Sequence, residues 1–150
     1  MSITTAAKVA DYILCWANEK GKTVSNLELQ KFVYYVQAWY LAVYDEPLFD
    51  DRLEAWVHGP VQPELWRKYK DCSWHPIDVV PKCPKYTEEI EGHINRVMEV
   101  YSKYNGFDLE NIVHHEDPWM NARKGLAPDE PSNAVITHES MKEFYGAEEE

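Results

Sequence analysis

The chain has 150 residues, of which 26 are acidic and 15 are basic, so its formal net charge at pH 7 is −11. This acidic excess argues against a nucleic-acid-binding protein, which contacts phosphates through clustered Lys and Arg, and equally against docking on anionic lipid. Aromatic residues make up 13% of the chain, with 6 Trp and 10 Tyr, whereas disordered acidic chains are poor in aromatics. We therefore expect one folded acidic domain that binds neither nucleic acid nor membrane.

The cysteines and the N-terminus bear on the cellular compartment. No run reaches the roughly 20 apolar residues that span a bilayer, and the first residues lack the charged and apolar regions of a secretion signal. The three cysteines, Cys15, Cys72 and Cys83, are odd in number and form no C-x-x-C pair. This pattern predicts reduced, partly buried thiols in a cytoplasmic protein, rather than a disulfide framework or a zinc knuckle.

The first two predicted elements are helices. Residues 4–20 carry apolar side chains at spacings of three and four, and Gly21 follows as a stop signal. Ser25 and Glu28 then form a capping box, in which each side chain satisfies a backbone N–H of the other residue. The segment 26–44 that follows is apolar on nearly every face. Such a helix is usually enclosed by the rest of the protein, so we predict that residues 26–44 form the central buried helix of the fold.

The remaining segments predict short elements. Residues 48–58 contain turn residues and an alternating stretch, which indicates at most a short β-hairpin or extended segment. Helices are predicted at 63–70, 88–101, 109–115, 119–124 and 138–145, with a proline-rich loop at 71–85. The chain is therefore predicted to be mostly α, a single compact domain of about six or seven helices over residues 1–147, with a frayed acidic tail at 148–150.

No sequence pattern points to catalysis. The cluster at residues 114–117 contains potential metal ligands, but neighbouring helix residues point to different faces. Glu110 and His114 supply only two ligands, short of the three or four of a zinc site. The chain has no nucleophile elbow and no phosphate-binding loop. We expect no catalytic residue, no metal and no cofactor; a hydrolase or metalloenzyme using His58, His114 or Glu116 is the alternative.

The tryptophans allow two interpretations. A single Trp in a helical stripe usually lies in the core, whereas several near loops can form a groove for a partner, because Trp and Tyr often anchor interfaces. The residues concerned are Trp39, Trp56, Trp66, Trp74 and Trp119. Periodicity alone favours the core.

Three ordered blocks resemble the Panacea-domain family, which includes the SocA- and GepA-like antitoxins of bacteria and their phages. The first is LQKFVYYVQAWYLA at residues 29–42. The second is PLFD at 47–50 followed by EAWVHGPV at 54–61. The third consists of His114, EDPW at 116–119 and AR at 122–123, with Val113 where the family usually has Thr. The resemblance extends over nearly the whole chain and implies a mostly helical, Panacea-like domain.

The resemblance implies a cytoplasmic antitoxin, associated with a prophage or other mobile element, that neutralises a toxin encoded nearby by direct protein contact. In one branch of the family, the antitoxin delivers its toxin to a Clp-type protease, so the resemblance also implies such a protease as a second partner. An acidic surface suits a basic toxin, since opposite potentials speed encounter. A phage or host scaffold protein without antitoxin activity is a further alternative.

We expect the partner to contact residues within these blocks, where turns hold aromatic side chains in loops that a partner can reach. The expected partner-binding residues are Gln37, Trp39, Trp56, His58, Gly59, Pro60, His114 and Trp119. In this hypothesis, residues 56–61 and the turn at 117–119 border one aromatic cleft.

Overall fold

The computed structural model describes residues 3–72 and 75–149, with side chains up to residue 147. The described residues form seven α-helices and one antiparallel hairpin. The helices are α1 (Ala6–Glu19), α2 (Asn26–Tyr44), α3 (Pro63–Lys68), α4 (Glu88–Tyr101), α5 (Gly106–His114), α6 (Asp117–Ala122) and α7 (His138–Glu149). The strands are β1 (Glu54–Trp56) and β2 (Gly59–Val61). The mostly helical prediction is confirmed, and the short hairpin lies at 54–61 rather than 48–58. Trp74 and Glu150 fall outside the described residues.

Helix α2 lies at the centre, as predicted. Its N-terminus carries the expected capping box, in which Ser25 Oγ accepts from the Glu28 amide at 3.2 Å and the Ser25 amide donates to Glu28 Oε1 at 2.9 Å. At its other end Asp45 adopts a left-handed conformation and forms an ion pair with Lys142 of α7. The helix packs against α1, α3, α4, α5, α7 and β2, so most of its side chains are removed from water.

Buried polar side chains of α2 determine where the surrounding segments lie. The Gln37 carboxamide donates to Phe49 O at 2.7 Å and accepts from the Leu48 amide at 2.9 Å, which holds the loop before β1. Gln30 Oε1 accepts from the Gln62 amide at 2.9 Å, just before α3. A buried amide without a partner costs about 1–3 kcal/mol, so these bonds fix both segments against α2.

No helix among the described residues is both long and apolar enough to cross a bilayer.

The predicted reduced state of all three cysteines is wrong in this structure. Cys15 of α1 and Cys83 are joined by a disulfide, with their Cα atoms 5.9 Å apart. The two residues are separated by 68 positions in sequence, and the loop before α4 folds back over α1 to bring them together. Cysteine spacing gave no sign of this pairing, because it depends on the path of a loop without regular structure. Cys72 is the free, half-buried cysteine of the described chain.

We predict that reducing the disulfide, or replacing Cys83 with Ser, lowers the free energy of unfolding by about 4 kcal/mol. The cross-link restricts the unfolded chain, and a loop of this length gives a figure of that order. Urea unfolding with and without a thiol reductant measures the effect. Cys72→Ser is the matched control and leaves the midpoint unchanged; equal midpoints for the oxidised and reduced wild-type protein contradict the prediction.

Candidate partner-binding site

An apolar groove lies on the outer face of the β-hairpin, beside α3. Its cavity has a volume of about 200 Å³. The lining residues come from the start of α2, the hairpin, α3 and the loop before α7: Leu27, Trp56, Val57, His58, Val61, Trp66, Pro131 and Ser132. Trp56 and Trp66 form its aromatic wall, with their rings edge to face and 6.0 Å apart. We call this cavity the Trp56 groove.

The polar edge of Trp56 is satisfied within the protein. Its indole Nε1 donates to Glu54 Oε1 at 2.8 Å, while Glu54 Oε2 accepts from Arg52 Nε at 2.8 Å. Arg52 also donates to Glu64 at 2.9 Å. The indole is therefore held in one orientation and presents carbon surface to the groove, so a ligand need not supply a hydrogen bond to it.

Trp119 does not line this groove, in contrast to the predicted cleft shared with Trp56. It is 3% exposed, because its indole Nε1 donates inward to the main-chain carbonyl of Trp56 at 2.8 Å. One face of its ring stacks on His114, with centroids 4.0 Å apart, and the Arg123 guanidinium lies 4.6 Å from the ring centroid. Trp119 thus supports the hairpin turn from inside.

Arg123 has a related structural role that its position in the third block did not reveal. It is 2% exposed and donates to three main-chain carbonyls, those of Ala55, Ala127 and Glu130. These bonds fasten the loop after α6 to β1. They thereby place Pro131 and Ser132 on the rim of the Trp56 groove.

The turn between the strands needs glycine at position 59. Gly59 has a φ of +121°, and a Cβ there would lie 3.2 Å from both Lys31 Cε and Val113 Cγ1. Pro60 is buried on β2. Gly59 and Pro60 were both expected to touch a partner, but in this structure they are packed inside the hairpin. His58 at the tip is exposed, and its Nδ1 lies 2.7 Å from Glu110 Oε1.

Lys31 lies directly under this turn and is 2% exposed. Its ammonium group donates to Leu27 O at 3.3 Å. Burial lowers the pKa of Lys31 to about 8, with Glu110 and Glu28 opposing the shift. Burial also lowers the pKa of His114, whose Nε2 is buried without a hydrogen-bond partner among the described residues. Because burial disfavours the charged form of Lys31, the free energy of unfolding depends on pH where this side chain loses its proton.

The other expected residues lie away from the Trp56 groove. Gln37 is completely buried and bonded to the loop before β1, and its expected contact with a partner stays a prediction. Trp39 is half-buried, and its Nε1 donates to Tyr101 Oη at 2.8 Å. It lines a separate cavity of about 260 Å³ between α2 and α4, together with Val43 and Val100. Of the eight predicted residues, Trp56 and His58 therefore line the groove.

A buried tyrosine cluster that the sequence did not predict joins α2, α4 and α7 at the start of α6. Glu116, at the start of α6, accepts from Tyr35 Oη of α2 at 2.7 Å and from Tyr145 Oη of α7 at 2.9 Å. Tyr34 lies 3.0 Å from Tyr145, oxygen to oxygen, and Tyr35 stacks on Tyr101 at 3.8 Å. Burial raises the pKa of Tyr35 and of Tyr145 far above the usual range, so both stay protonated as donors.

The residues named for the hydrolase alternative make different direct contacts, although Glu110 interacts electrostatically with both histidines. His58 contacts Glu110, His114 stacks on Trp119, and Glu116 accepts from tyrosine hydroxyls. The groove that His58 lines includes neither His114 nor Glu116. Within residues 3–72 and 75–149, no group of three His, Cys, Asp or Glu side chains has the arrangement of a metal site.

Comparison with known proteins agrees with the three sequence blocks. The family described as antitoxin SocA-like, Panacea domain, matches residues 29–120. The antitoxin SocA of Caulobacter vibrioides (strain NA1000 / CB15N) is 37% identical over 128 residues, covering 76% of this chain and 68% of that protein. The chain belongs to the SocA-like Panacea-domain family. No solved structure matches it.

The matched region runs from the first turn of α2 into α6, so this Panacea domain includes the hairpin, Trp66 and the buried Trp119. Pro131, Ser132 and α7 lie beyond it. The segment that follows the matched region therefore contributes part of the groove rim and Tyr145 of the tyrosine cluster.

We predict that the free energy of unfolding rises between pH 7 and pH 9 because of Lys31. In that window the unfolded chain, with a lysine pKa near 10.5, binds more protons than the folded chain, so higher pH favours folding by about 1 kcal/mol. Urea unfolding at each pH, with Lys31→Met beside the wild type, measures the difference.

The Lys31→Met variant lacks this rise, so its free energy of unfolding minus that of the wild type is expected to fall by about 1 kcal/mol from pH 7 to pH 9. Taking the difference cancels the other titrating groups that the two proteins share. Lys8→Met, at an exposed lysine of α1, is the matched control and runs parallel to the wild type. A constant difference between wild type and Lys31→Met would show that Lys31 is not desolvated.

Proposed function

We propose that this Panacea domain is an antitoxin that neutralises its toxin by direct contact, with the Trp56 groove as the anchoring site. The observation that carries the proposal is an apolar cavity walled by Trp56 and Trp66 on a chain of net charge −11. Buried aromatic anchors surrounded by a polar rim are the usual energetic centre of protein interfaces. The family of SocA-like antitoxins supplies the biological role.

The rigidity of the groove supports this assignment. Trp56 is held by Glu54 through its indole and by Trp119 through its main-chain carbonyl. A side chain that is ordered before binding loses little conformational entropy when a partner arrives, and this saving contributes directly to affinity. The acidic chain favours a basic partner, whose approach is accelerated by the long-range potential.

Co-expression with the product of the adjacent gene tests the proposal. The expected result is that the neighbour's product stops growth alone, and that this protein restores growth and co-purifies with it. A neighbour that is harmless alone and does not bind would overturn the antitoxin assignment. Repeating the rescue in a host without Clp proteases separates blocking, which persists, from delivery of the toxin for degradation, which is lost.

We predict that Trp56→Ala weakens the complex about thirtyfold, because truncating an interface Trp costs about 2 kcal/mol. The fold is expected to survive, since the bond from Trp119 goes to the main-chain carbonyl of residue 56. Isothermal titration with the purified neighbour protein measures affinity, and circular dichroism checks the fold.

Val43→Ala is the control for an exposed apolar side chain in the separate α2–α4 cavity, and it binds like the wild type. If Val43→Ala weakens binding and Trp56→Ala does not, the contact lies at the α2–α4 cavity instead.

A further inference from the structure

The hairpin is extended on one side by the segment 132–136. The Ala55 amide donates to Ala134 O at 2.8 Å, and the Ile136 amide donates to Leu53 O at 2.8 Å. Glu54 and Val135 face each other as an antiparallel bridge. The order across this small sheet is therefore β2, β1 and then the segment 132–136, which forms its outer edge.

The main chain of Val135 faces away from β1. In an antiparallel pair, residues alternate between those that bond inward to the neighbour and those that point to the other side. Ala134 and Ile136 bond inward, so the amide and carbonyl of Val135 between them point outward. The hydrogen bonds among residues 3–72 and 75–149 include none to either group, and Val135 is 50% exposed.

The two faces of this sheet have different roles. Ala55 and Ile136 are buried against the core, at 0% and 1% exposure. Side chains on opposite positions of paired strands share a face, so Val135 lies on the same face as Glu54 and therefore as Trp56 two residues on. The open edge and the Trp56 groove thus belong to one continuous surface, with Pro131 and Ser132 between them.

We propose that the edge at Val135 receives an extended segment of the toxin, which adds to the sheet as a further strand and places an apolar side chain in the Trp56 groove. Unpaired main-chain groups at a sheet edge recognise an extended peptide, and neighbouring pockets select its alternate side chains. The proposal rests on the toxin-binding function above and specifies the form in which the partner binds.

Charge at the edge indicates the composition of that segment. Residues 126–135, the part of the α6–α7 loop next to the edge, contain the exposed Asp129 and Glu130 and no Lys or Arg, while the exposed Lys124 lies at the start of that loop. The whole chain carries −11. An apolar segment flanked by Lys or Arg complements this rim. The same charge disfavours the pairing of two copies of this chain edge to edge, because the loops would bring like charges together.

Val135→Pro tests the strand addition. Proline removes the outward amide and leaves both inward bonds, at Ala134 and Ile136, available; edge positions of this kind tolerate proline. The expected result is at least a tenfold loss of affinity for the co-expressed neighbour protein. Val135→Thr keeps the amide and the β-branched shape, and it is expected to bind within twofold of the wild type.

Amide exchange measured by NMR provides an independent readout on the wild-type complex. The Val135 amide is expected to exchange at least tenfold more slowly in the complex than in the free protein. In Val135→Pro, continued protection of the Ala55 and Ile136 amides shows that the sheet itself is intact. Unchanged exchange at Val135 in the wild-type complex overturns the proposal whether or not the proline variant folds.

The results of these experiments distinguish a failure of strand addition from a failure of the proposed antitoxin function. Full binding by Val135→Pro together with weak binding by Trp56→Ala overturns strand addition but leaves the groove in place. Failure of the neighbour protein to bind the wild type overturns both. The free protein is also measured at increasing concentration. If its Val135 amide becomes protected and its sedimentation mass doubles, the edge pairs with a second copy of this chain. That result also overturns the proposal.

Discussion

The enclosure of helix α2 is the constraint on which the rest of this structure depends. Its buried polar side chains cannot reach water, so each must find a partner inside the protein. Gln37 forms hydrogen bonds with the loop before β1, and Gln30 accepts one from the residue before α3. Lys31 lies under the hairpin turn. Hydrogen bonds to the helix therefore place the loop before β1 and the start of α3, which flank the hairpin.

The sequence was most informative where the signal was local. The capping box at Ser25 and the apolar character of 26–44 correctly predicted α2. Trp56 lines an apolar groove, and its contact with a partner stays a prediction. For α2 the deciding residues are close together in the chain, so spacing and side-chain type were enough.

Long-range contacts account for what the sequence could not predict. The direction of the Trp119 ring depends on a carbonyl 63 residues earlier, and the Cys15–Cys83 bond depends on the path of a loop. Gln37 resembles a surface residue in type but is buried by its two bonds. The tyrosine cluster around Glu116 joins residues from α2 and α7, and no spacing rule connects positions so far apart. Burial and orientation of these residues are properties of the assembled core.

The support of the hairpin by buried side chains affects how genetic screens of this protein are interpreted. Under the proposed function, random mutagenesis scored for lost binding of the neighbour protein is expected to return substitutions at Trp119, Arg123 and Gln37, because each supports the hairpin or its flanking loop from inside the domain. The positions found in such a screen would therefore include buried residues that support the groove, in addition to residues that contact the partner. Suppressor pairs, in which a change in the proposed partner restores its binding to an altered form of this protein, would locate the contact surface instead.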